Sequence, residues 1–238
     1  MRPARYYMLM ASLPPLPALF TSSDDPPISR LRLDRRLEML EAVDRAELAD
    51  IEVLMRWDLL PLEMTDREIL ARAHEVFPRI RSDVLRDVAM WRLELRTIVA
   101  ALRRRAIGKL APTSEESWGY GRWVRHIEKN WLVPDFGIGA VLPWLSEFSR
   151  LIDEGDSRGF ERALLGVAWT YMSRAAHRNF FSFEAVALYV LRWDVIARWT
   201  GYDGQRARER FNRLLEDGLG DYRDLFAAGP SEEANLRV

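Results

Sequence analysis

The chain of 238 residues contains no Cys. Disulfides, thiolate catalysis and Cys-based zinc sites are therefore excluded. The absence of Cys also fits a cytoplasmic protein. Lys is almost as scarce: Lys109 and Lys129 are the only two among 35 basic residues, and the rest are Arg. Such a bias arises from coding composition or from Arg-rich ion pairing, where a planar fork outperforms an ammonium. His74, His126 and His177 stand alone, none with a second His or Cys at metal-ligand spacing. No apolar run reaches the roughly 18–20 residues that span a bilayer. The formal net charge of −1 gives no overall attraction to nucleic acid or anionic lipid.

Catalytic constellations are missing too. Acidic pairs occur at Asp24-Asp25, Glu115-Glu116 and Asp153-Glu154. Adjacent carboxylates do not make the cleft-spanning, pKa-split pair that acid/base chemistry needs. The Asp-Asp-x-x-Asp motif of helical isoprenoid synthases is absent, because residues 24–28 read Asp-Asp-Pro-Pro-Ile. Gly119-Tyr120-Gly121 and Gly137-Ile138-Gly139 lack the strand, helix and Lys-Ser/Thr of a phosphate loop. The sequence therefore predicts a non-enzyme with no cofactor and no metal.

What is present is apolar and helical. Hydrophobic residues make up 48% of the chain, with nine Trp, enough for a sizeable core. Val84, Val88, Trp91, Leu95, Ile98 and Leu102 recur at helical spacing after a Ser82 cap, predicting a helix over 83–106 that stops at Gly108. A nearly all-round apolar helix is predicted over 182–199. Further helices are expected at 29–43, 45–57, 66–76, 115–130, 141–153, 158–177 and 204–217. Residues 131–139 are too rich in Pro and Gly for a regular helix.

Residues 6–13 read as a short extended segment, since two aromatic rings open it. Pro14, Pro15 and Pro17 break its apolar run early, which argues against a signal peptide. The expected fold is all-α: two packed helical-bundle units, 1–112 and 113–238, with that extended N-terminal segment. An Arg-Trp-Asp echo at 56–58 and 192–194 suggests a duplicated unit. Within each copy, Arg56-Asp58 and Arg192-Asp194 are candidate structural ion pairs.

Nine basic residues crowd the 79–109 stretch, opposed by Asp83, Asp87 and Glu94. A solvated helix face accounts for them, or a protein-partner surface; nucleic acid ranks third, lacking any recognition signature. Trp91, Trp169, Trp193 and Trp199 sit on core stripes, whereas Trp118 and Trp123 flank glycines and are interface candidates.

The string Tyr6-Tyr7-x-Leu9-x-Ala11-Ser12-Leu13-Pro14 resembles the start of a bacterial family of uncharacterised proteins found beside V/A-type ATP synthase genes. Arg56-Trp57-Asp58, Pro134-Asp135-Phe136-Gly137 and the run from Phe183 through Arg198-Trp199 are similar to that family as well. The family looks like a shortened relative of the C-type stalk protein of V/A-type ATPases, termed d in eukaryotes. That stalk protein generally has three helical units, and this chain has room for two.

The resemblance implies an all-helical, non-catalytic central-stalk or accessory subunit. It would couple the rotor shaft to the membrane ring, lie in the cytoplasm and reach the membrane through protein partners only. Arg-rich faces would suit the polar interface of such a subunit, because Arg–carboxylate pairs fix orientation, and Arg92, Arg96 and Arg103 are the expected partner-facing residues. The competing expectations are a helical adaptor unrelated to the ATPase and, third, an enzyme with a cavity lined by Trp118, Trp123 and His126.

Overall fold

A computed structural model describes residues 5–20, 26–56, 66–113 and 117–201. Among these residues the fold is all-helical, with no strand. The helices are α1 (Tyr7–Ser12), α2 (Arg30–Leu37), α3 (Ala42–Met55), α4 (Asp66–Val76), α5 (Asp83–Ala106), α6 (Val124–Lys129), α7 (Leu145–Asp153) and α8 (Ser157–Ala176). A 3-10 turn, Phe77–Arg79, follows α4. A last helix, α9, covers 183–201 up to the edge of the described chain. The expected helix at 204–217 lies outside the described residues, as do Trp57 and Asp58 of the repeat echo.

Two helices organise the body. α5 has 24 residues, about 36 Å of rod. Its N-terminal half, from Leu85 to Leu93, packs into one apolar cluster, and its C-terminal half, from Leu95 to Leu102, into a second. α8 crosses the same clusters in reverse: Phe160 and Leu164 join the second, Leu165, Ala168 and Met172 the first. The two long helices are therefore antiparallel and common to both cores. The first cluster also gathers α1 to α4 with α9, so residues 183–199 pack beside residues 6–93. The apolar cores thus cross the expected boundary at 112/113, because α9 is apolar on nearly every face and must be surrounded.

Capping follows the sequence. Ser82 Oγ accepts from Leu85 N, Ser182 Oγ accepts from Ala185 N, and Asp156 accepts from Gly159 N. Gly108, with φ of 72°, ends α5 in the left-handed conformation that glycine adopts freely.

Two expectations are corrected. Residues 7–12 are helical, not extended. Tyr6, Leu9 and Leu13 are all buried on one face, and Leu, Met and Ala favour a helix where a core receives it. Leu13 turns extended ahead of Pro14, as the residue before a proline must.

The expected helix at 115–130 shrinks to α6. Gly121 has φ of 94° and lies so close to Glu94 that a Cβ would collide with it. Tyr120 is tied to α5 at the same place, its N–H donating to Thr97 Oγ1 and its carbonyl accepting from that hydroxyl.

Candidate partner-binding groove

The Tyr6 region is a buried polar clamp. Tyr6 donates to Asp44 Oδ2 at 2.6 Å. Glu47, 2% exposed, accepts from the N–H groups of Arg81 and Ser82 at 3.0 and 2.9 Å and from Arg81 Nε at 3.0 Å. Arg81 also reaches Asp44, and Ser82 Oγ donates to Glu184. On the other side Tyr7 stacks on Phe181, and Phe181 O accepts from Arg5 N and Tyr6 N. Tyr189 donates to Pro14 O at 2.8 Å. The string that opens the chain is thereby bolted to α3, α5 and α9. Burial first, then the bond to Asp44, pushes the Tyr6 hydroxyl up to about 12. Burial likewise pushes Tyr189 up to about 12.

A different surface lies on the far side of α5. A groove of about 950 Å³ opens between α5, α7, α8 and the 122–144 connection. Trp91, Glu94, Leu95 and Ile98 supply one wall, at the i, i+3, i+4, i+7 spacing of a single helix face. Ala163, Val167, Thr170 and Tyr171 of α8 form the floor, and Leu142, Pro143 and Trp144 the opposite wall with Trp123. Trp91 and Tyr171 stack at 3.9 Å, nearly coplanar. Phe20 closes one edge. The side-chain N–H of Trp91, Trp123 and Trp144 and the Tyr171 hydroxyl meet no hydrogen-bond acceptor among the described residues. Burial raises the Tyr171 hydroxyl above its usual value, with Asp87 and Glu94 adding to the shift and Arg122 opposing it.

The groove is charged at its rim. Glu94 is occupied by Arg122, whose N–H and Nε approach it at 3.2 and 3.4 Å. Arg162, Arg174 and Glu147 also line the groove and have no oppositely charged partner among the described residues. Apolar walls, unpaired indole donors and a polar rim match the anatomy of protein interfaces.

The expected site residues divide between interior and surface. Arg92 is 5% exposed and Trp118 6%, so both face inward. Burial drives the Arg92 guanidinium well below its usual value, with Arg198 and Arg96 adding to the shift. Trp118 donates to Glu128 at 3.0 Å. Arg96 is held by Asp66 at 2.6 Å. Arg103 is exposed and lies over the Phe160 ring at 5.1 Å. Trp123 lines the groove.

Much of the basic 79–109 stretch is spent internally. Arg79 forks onto Asp50, Arg86 pairs with Asp83, and Arg105 clamps the carbonyls of Val133 and Pro134. The residues of the groove escape sequence reading because they come from α5, α7, α8 and the 122–144 connection, which only the fold brings together.

A second cavity, about 260 Å³, lies where α3, α5, α8 and α9 meet, with Arg56, Arg92, Asp194 and Arg198 on its lining. Arg30 of α2 ties α3 to α9, reaching Glu52 at 2.7 Å and Asp194 at 3.4 Å. Arg192 instead donates to Leu188 O and lies over Trp169. Among the described residues no group of three or more His, Asp or Glu is arranged to hold a metal. No helix there is long and apolar enough to cross a membrane.

The fold is all-helical, and α5, α7, α8 and the 122–144 connection frame an aromatic groove. Residues 64–218 match the family described as Protein of unknown function (DUF2764). The match covers more than half of the chain, and the chain belongs to that family. No curated protein matches the chain, and no solved structure matches it.

Proposed function

We propose that this protein is a non-catalytic, C/d-like component of the central stalk of a bacterial V/A-type ATPase, coupling the rotor shaft to the membrane ring. The observation that carries the partner-binding part is the groove, which leaves Trp donors and two arginines open at a preformed surface. The assignment to the ATPase rests on the resemblance in residues 6–14, 56–58, 134–137 and 183–199. A torque-transmitting protein needs stiff packed helices, and α5 and α8, each shared by two apolar cores, supply them. On this reading the protein lies on the cytoplasmic side and touches the membrane through protein partners alone.

A native pull-down of the tagged chain from its source organism tests the proposal. Recovery of central-stalk subunits or of the membrane ring is expected. Recovery of neither overturns the ATPase reading. A crosslinking partner list dominated by one unrelated protein would instead favour the adaptor reading, which the groove supports equally. The enzyme reading draws less support: Trp118 turns inward to Glu128, while Trp123 faces the groove.

A further inference from the structure

We infer that the groove between α5, α7 and α8 receives one amphipathic helix of a partner protein, apolar on its buried face and carrying carboxylates near both ends. The inference rests on the partner-binding reading of the groove and not on the ATPase assignment.

Three observations carry it. The first is size. Twelve residues of helix, about 18 Å long and 10 Å wide, occupy about 700 Å³ in their buried half, which the groove of about 950 Å³ accommodates. The second is backbone chemistry. The walls are helices and side chains, with no strand edge among the described residues. An extended peptide would bury N–H and C=O groups without partners, whereas a helix satisfies its own. The third is charge. Arg162 and Arg174 line the groove twelve residues apart on α8, about 18 Å along its axis. Neither meets a carboxylate among the described residues; Arg162 only lies over the Phe20 ring at 5.1 Å. Two cationic positions at that axial spacing match carboxylates about twelve residues apart on one helix. Between them α8 offers small residues, Ala163, Gly166 and Thr170, and small side chains let a second helix approach closely.

Two synthetic helical peptides of about 18 residues test this. Both have a leucine face. One has glutamates about twelve positions apart, and the other has lysines there. Binding to the full-length chain is read by fluorescence anisotropy. The glutamate peptide should bind the wild type, and the lysine peptide at least about tenfold more weakly. Reversing the rim in the double variant Arg162→Glu/Arg174→Glu should invert that order. The wild-type comparison stands alone if the variant fails to fold.

Equal affinities, an order that does not invert in the folded variant, or no binding by about 100 µM peptide overturns the inference. Concentration-dependent dimerisation lost in the variant also overturns it, because the occupant is then a second copy. ATPase subunits recovered with the wild type while neither peptide binds sink the inference and leave the stalk reading standing. Inverted peptide preference without ATPase recovery does the reverse.

Discussion

The clamp beneath Tyr6 and the groove beside Trp91 both combine aromatic rings with arginines and carboxylates. In the clamp, Glu47 accepts three N–H groups, Asp44 takes the Tyr6 hydroxyl and Arg81, and Ser82 reaches Glu184. In the groove, three Trp and Tyr171 keep their donors open, and Arg162 and Arg174 lack carboxylates among the described residues. The difference separates two uses of the same side chains. Polar groups satisfied within the chain hold it together, and polar groups left open around an apolar surface are available to another molecule. Basic residues show the contrast most clearly. The dense run at 79–109 is largely consumed by internal contacts, while Arg162 and Arg174 of α8 have no carboxylate partner among the described residues.

Perturbing the clamp should cost stability, and perturbing the groove should not. Deleting residues 1–14 removes Tyr6, Leu9 and Leu13 from the first core and should lower unfolding free energy by on the order of 5 kcal/mol. A truncated chain that melts like the full-length one would break the comparison at its base. Glu47→Ala leaves the buried N–H of Ser82 and the part-buried N–H of Arg81 without their acceptor and should cost about 3 kcal/mol in urea denaturation.

Tyr6→Phe should cost about 1 kcal/mol and change the alkaline profile. With its hydroxyl pushed from 10 up to about 12 in the folded chain, the folded state holds this proton longer than the unfolded state. The stability it contributes is complete below pH 10 and drains as pH rises towards 12. The variant should lose part of that decline, with Tyr189 supplying the remainder in the same direction. Identical pH profiles for variant and wild type would show that Tyr6 is not buried as described. The smallest effect belongs to Tyr171→Phe, which keeps the stack on Trp91 and loses no internal hydrogen bond. Its melting transition should move by no more than about 0.5 kcal/mol, and a larger loss would mean that the groove is part of the structural core.

Most of the helices were legible because local rules act within a few residues. The stripe from Val84 to Leu102, the Ser82 and Ser182 caps and the stop at Gly108 all depend on spacing and backbone conformation. Residues 6–13 misled because the Tyr pair reads as strand, while the burial of Tyr6, Leu9 and Leu13 on one helical face is a tertiary event. Residues 117–123 misled because Gly121 and the Thr97 tether impose an irregular path that local spacing does not show. Of the candidate site, the sequence pointed to Trp123 as an interface residue and placed Trp91, Leu95 and Ile98 on the apolar stripe of α5. Arg92 and Trp118 looked available because exposure depends on neighbours far along the chain.

The sequence by itself determined the all-helical class, where most helices begin and end, and the lack of Cys chemistry, since composition, periodicity and capping are local. Tertiary structure decided which arginines are spent and which are free, that α9 lies in the core beside α1 to α4, and that α5, α7 and α8 part to leave a groove. Those outcomes depend on contacts between residues tens of positions apart, which no local pattern encodes.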